Sequence, residues 1–104
     1  MPKTFRFFVA GVQFHDLDLC IKDIKVDGKL VLNPEPDNKY DPNAIAIHYN
    51  DGPIPTMVGY VPKKLAPDVG ALMLTSDNVT CKVFEVTPKS KPWERLSVTI
   101  EGGE

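Results

Sequence analysis

The chain has 104 residues, 42% apolar and 25% charged, with 12 Lys and Arg against 14 Asp and Glu and a formal net charge of −2. That length suits one domain, residues 1–104, large enough to fold on a single core without staples, and its charge excludes a polybasic protein, so nucleic acid would have to be met by a local patch. No run approaches the ~18 apolar residues of a membrane span, the cysteines Cys20 and Cys81 form no CxxC pair for a zinc finger or disulfide scaffold, and no P-loop string occurs.

Ten prolines and seven glycines punctuate the chain and favour short strands over long helices. Thr4 to Val12 reads as a first strand, with Phe5, Phe7 and Val9 on one face and Arg6 and Phe8 on the other, interrupted by Gly11 as a bulge or close approach. HDLDLCIKDI is ambiguous: Leu17, Cys20, Ile21 and Ile24 fit a helical face, but the stretch is short. Asp27-Gly28 signals a turn before a strand over Lys29 to Asn33. PEPDNKYDPN, with three prolines, two Asp and two Asn, is a loop. Asn43 to Tyr49 alternates again, Asn50-Asp51-Gly52 turns the chain, and Met57 to Val61 is a short apolar strand.

Pro62 suits the first position of a short helix, and Pro67 can open a second whose buried stripe is Val69, Leu72 and Met73. Asn78 to Val86 and Leu96 to Ile100 complete about six strands with one or two short helices. The pattern is mainly β, a small closed or partly open barrel with a helical plug.

Little here points to catalysis. His15, Asp16 and Asp18 lie together, with His48 elsewhere, but no HExxH, GxSxG or Cys-His signature surrounds them. Both cysteines sit among apolar neighbours, which raises a thiol pKa and suits a buried, reduced side chain. The expectation is therefore no enzyme, no metal and no cofactor. The start, MPKTFRFFVAGVQFH, is broken by Arg6 and Gln13 and lacks the apolar core and cleavage site of a secretory signal, so a cytoplasmic or nuclear location is expected.

The binding candidates are more informative. Tyr40 lies between Lys39 and Asp41 in a segment too polar for a core, and an exposed ring on a Pro-flanked loop is suited to stacking. Equally, that ring can fold over the barrel edge as a loop anchor, and Asp41 can satisfy an Asx turn. Lys63 and Lys64 after Pro62 suit an anion site, or a pair of solvated lysines. The hairpin TPKSKPWER interleaves Lys89, Lys91 and Arg95 with Trp93, either a backbone-tracking surface or a solubilising loop with Trp93 tucked inward.

The order FVAGVQFH, LNPEPDNKYDPNAIAI, VGYVPKKLA resembles a HIRAN domain, from about Arg6 to Ile100. The resemblance implies an OB-like barrel of about six strands with two short helices. HIRAN domains occur at the front of helicase-like proteins that remodel stalled replication forks, and as stand-alone proteins in bacteria and phages. It implies binding of single-stranded DNA, with capture of its free 3′ end. Carried over by position, Tyr40 stacks on the terminal base, Asp41 accepts a hydrogen bond from the 3′-hydroxyl, and Asn38 contacts the same end. Lys63 meets a phosphate, Tyr60 lines the pocket and Phe14 is a second stacking aromatic near the end of the first strand. Two positions depart from the end-binding type: Gln13 stands for an arginine and Tyr60 for a histidine, so weaker DNA binding is expected. The alternative is a protein-interaction module on the same barrel, its aromatic groove receiving a peptide.

Overall fold

A computed structural model describes residues 3–50, 52 and 54–103. Six strands follow the chain: β1 (Lys3–Phe8), β2 (Lys29–Pro34), β3 (Ile45–Tyr49), β4 (Thr56–Tyr60), β5 (Thr80–Val86) and β6 (Leu96–Gly102). The helices are α1 (Leu17–Cys20) and α2 (Ala66–Thr75), and short 3₁₀ turns lie at Val12–Phe14 and Pro92–Glu94. All strand pairings are antiparallel, in the order β1-β6-β5-β2-β3-β4, and the sheet curls into a half-barrel.

β2 is the corner of the barrel. Lys29 and Leu30 pair with Lys82 and Cys81 of β5, and from Val31 to Pro34 the strand pairs with β3 instead. Register shifts at Ile47/His48 and at Val83/Glu85 add the local bends that a curled sheet needs. Leu17, Ile45, Ile47, Val58, Val83, Leu96, Val98 and Ile100 fill the interior, and α2 adds Ala66, Val69 and Leu72, with Met73 half-buried. The expected plug is this helix, and its expected stripe is the face it buries.

Three expectations change. The first strand ends at Phe8, because Gly11 takes a left-handed conformation (φ 72°) and turns the chain into Val12–Phe14. No helix starts at Pro62. Its carbonyl accepts from Leu65 and Ala66 N–H in a turn that leads into α2, so Lys63 and Lys64 precede the helix and do not cap it. β3 starts at Ile45, since Ala44 N–H is drawn to Asp41 O in the preceding loop. The Asp27-Gly28 turn is present, with Asp27 left-handed (φ 68°). Of the Asn50-Asp51-Gly52 turn, Asp51 lies outside the described residues.

The two edges of the sheet meet where Ala10, just beyond β1, bridges Tyr60 at the end of β4 through two N–H···O bonds of 2.8 Å. Gly59 makes this crossing possible. A Cβ there would sit 2.5 Å from Ala10 O and 2.6 Å from Val9 Cγ1. Because the first obstruction is backbone, the Gly59→Ala variant should lose roughly 1–3 kcal/mol or more of stability in urea unfolding; an unchanged midpoint would mean that the crossing yields easily.

Ser97 on β6 is 6% exposed, and its Oγ is the one buried side-chain polar atom among the described residues without a hydrogen-bond partner. An unsatisfied buried hydroxyl costs roughly 1–3 kcal/mol. Ser97→Ala should therefore melt at or above the parent temperature; a lower melting temperature would show that the hydroxyl has a partner in solution.

Candidate nucleic-acid interface

The segment between β2 and β3 is a closed loop. Glu35 N–H donates to Ala44 O at 2.8 Å across its mouth, and Asn38 N–H donates to Glu35 O at 3.0 Å. Asn38 organises the interior: its Oδ1 accepts from Tyr40 N–H (2.8 Å) and Asp41 N–H (3.0 Å), while its amide donates to Glu35 Oε1 (3.0 Å). Asp41 Oδ1 accepts from Asn43 N–H at 2.9 Å, so the Asx turn read as one option from the sequence is present. It engages one carboxylate oxygen and leaves the other without a protein partner among the described residues.

Glu35 also joins the loop to the barrel. The same Oε1 accepts the Tyr60 hydroxyl at 2.9 Å. Burial pushes the Tyr60 phenol above its ordinary pKa, and the hydrogen bond to Glu35 and that carboxylate's charge push the same way. The phenol thus stays a neutral donor throughout the physiological range. On its other side Tyr60 meets the His15 ring edge-on, with centroids 5.4 Å apart.

This scaffold brings Asn38, Tyr40, Asp41, Tyr60 and Lys63 around one open depression of about 330 Å³, with Ala10, Ala44 and Val61 completing its lining. Tyr40 is 94% exposed, so its ring is not folded over the barrel edge as a loop anchor. Lys63 is exposed and makes no ion pair among the described residues.

Phe14 and Gln13 stand apart from this depression. Both lie on the exposed 3₁₀ turn that follows β1, and neither lines the depression. Phe14 is 79% exposed, and its turn touches the turn at Pro92–Glu94, where Trp93 is also exposed and Lys91 Nζ lies 5.7 Å from the indole centroid. Trp93 is therefore not tucked into the core, and Trp93 and Phe14 are exposed aromatics on two turns that touch.

Sequence reasoning missed Glu35, a carboxylate between two prolines whose only signal is its i, i+3 spacing to Asn38. The thiols are buried. Cys81 is pushed up to about 12 by burial, and Cys20 is raised by burial and then by the charges of Asp23 and Asp16, so neither is a ready nucleophile. Among the described residues no three His, Cys, Asp or Glu side chains converge as a metal site, and no helix is long and apolar enough to cross a membrane.

Among solved structures, the chain is similar to the HIRAN domain of human HLTF, with a TM-score of 0.71 and 19% identity over 95% of this chain and 74% of that one. It is also similar to a protein from Lactobacillus plantarum, with a TM-score of 0.77 and 17% identity over 98% of this chain and 97% of that one. At these identities the likeness is one of fold. No significant match was found among curated proteins. The HIRAN domain profile matches residues 2–102, and the chain belongs to the HIRAN domain family.

Proposed function

We propose that this chain is a single non-catalytic module that binds single-stranded DNA and receives its free 3′ end in the depression between the Glu35–Ala44 loop and Lys63. The observation that carries the reading is the exposed Tyr40 ring beside a half-engaged Asp41 carboxylate, on a loop whose backbone is already hydrogen-bonded. A pre-ordered loop loses little entropy when a ligand arrives. Tyr40 offers its face to a terminal base, Asp41 accepts from the terminal hydroxyl, and Lys63 meets the phosphate next to it. Asn38 has one amide hydrogen left for the same end. Tyr60, in place of the histidine of the end-binding type, acts from beneath, by holding Glu35. Gln13 and Phe14 belong with Trp93 to a second station, one nucleotide or more from the end.

A peptide-binding reading has one observation in its favour. A trough of about 530 Å³ runs between the same loop and α2, lined by Pro34, Pro36, Pro42, Ala71 and Leu74 among others. Its lining carries no cation, so it does not compete for DNA.

Stacking of one base is worth roughly 1–3 kcal/mol. Tyr40→Ala should weaken binding of a short oligonucleotide about tenfold or more, by fluorescence titration, with an unchanged melting temperature because the ring packs on nothing. Parent-like affinity would remove Tyr40 from the site.

A carboxylate repels every phosphate that nears it, so Asp41 favours only an uncharged donor. A charge-assisted hydrogen bond is worth roughly 1.5–3 kcal/mol, which predicts a preference of about ten- to a hundredfold for a 3′-hydroxyl over a 3′-phosphate end. Asp41→Asn keeps an acceptor for Asn43 N–H and should flatten that preference. Equal affinity of the parent for both ends would overturn end capture.

A further inference from the structure

A second cationic feature lies on the outer face of the sheet. Arg6 on β1 is opposite Thr99 on β6, Thr99 is opposite Lys82 on β5, and Lys82 is opposite Lys29 on β2. All four are in one row across four strands, about 14 Å long at roughly 4.8 Å per strand. Their neighbours Leu30, Cys81, Val83, Val98 and Ile100 are buried, so the row is on the solvent side.

The Lys29–Lys82 pair sets like charges directly opposite each other, an arrangement that destabilises a sheet. Among the described residues no carboxylate pairs with either lysine: the one ion pair joins Arg95 to Asp18. Glu101 and Glu85 occupy the adjacent rows, opposite Thr80 and Ser97, and flank the cations without pairing with them.

Arg6 is held in place. Its Nε donates to Thr99 Oγ1 at 3.3 Å, and its guanidinium lies 3.9 Å from the Phe84 ring centroid. Phe84 and Phe8, 45% and 47% exposed, add apolar faces to the same side.

We propose that this face is a second single-stranded nucleic-acid surface, separate from the 3′-end depression, on which phosphates follow Arg6, Lys82 and Lys29 and unpaired bases lie on Phe8 and on the Arg6–Phe84 stack. The uncompensated row calls for a polyanion, and the exposed rings among the cations select one with stackable bases over an acidic peptide. The chain is acidic overall, so the row is not a by-product of general basicity.

A closed circular single-stranded oligodeoxynucleotide isolates this surface, because it has no end for Asp41 to receive. At low salt it should bind the parent and the Tyr40→Ala variant alike. Replacing Lys29 and Lys82 together by Ala should weaken binding about tenfold and lower the salt slope by about 1.4, or roughly 0.7 for each phosphate released. The double variant should melt no lower than the parent, since the opposed charges are gone. The proposal fails if the circle does not bind, if the double variant binds it like the parent, or if poly-glutamate displaces it as well as linear single-stranded DNA does. In each case the preference for a free 3′ end on linear oligonucleotides is a separate measurement and stands or falls alone.

Discussion

The contact on which the rest of the molecule depends is the crossing of the chain after β1 over the end of β4. Two backbone hydrogen bonds between Ala10 and Tyr60 close the curled sheet, and the approach is so tight that no side chain fits at Gly59. It ties together the two ends of the strand order, β1 and β4, at a single point. The same contact fixes Tyr60, and Tyr60 fixes Glu35. The bridge between the sheet's two ends and the posture of the Glu35–Ala44 loop are thus one mechanical unit.

That unit explains why a loop so rich in proline and polar residues is ordered. Its turn residues restrict the backbone, but it is the Glu35 carboxylate that collects the Asn38 amide and the Tyr60 hydroxyl on one oxygen. Hydrogen bonds to a charged acceptor are stronger than neutral ones, and here both donors are neutral, so no second charge has to be desolvated. Asn38 in turn orients the backbone of Tyr40 and Asp41. The exposed side chains of Tyr40 and Asp41 need no packing of their own because their backbone is held from behind.

Charge is distributed with the same economy. An acidic chain cannot hold a polyanion by its bulk field, so affinity has to come from few cations in defined positions. The proposed positions are Lys63 beside the loop and the row of Arg6, Lys82 and Lys29 on the sheet, and each lacks a carboxylate partner among the described residues. Arg6 is held by two contacts, with Thr99 and Phe84, because its guanidinium is planar and can stack.

Much of this was legible in the sequence. Alternation over Phe5–Val9, Ile45–Tyr49 and Leu96–Ile100 marked strands, because successive side chains of a strand point to opposite faces; Ala46 and Ser97 are buried on the second face as well. The density of Pro, Asp and Asn marked the loop, and the FVAGVQFH, DNKYDPNAI and VGYVPKKLA blocks carried the family resemblance. What the sequence did not carry was any relation between positions far apart along the chain. Gly59 reads as a glycine in a strand until Ala10 is laid across it. Glu35 reads as a solvated acid until Tyr60, 25 residues on, is brought to its carboxylate. Arg6 and Lys29 are unremarkable charges, and Lys82 one cation of a basic C-terminal half, until strand order and register align them, and Phe14 reads as lying near a strand end until Gly11 turns the chain away. Local pattern depends on the φ/ψ preferences and burial of neighbours, which a sequence records directly; register and closure depend on which distant backbone groups pair, and only the folded chain decides that.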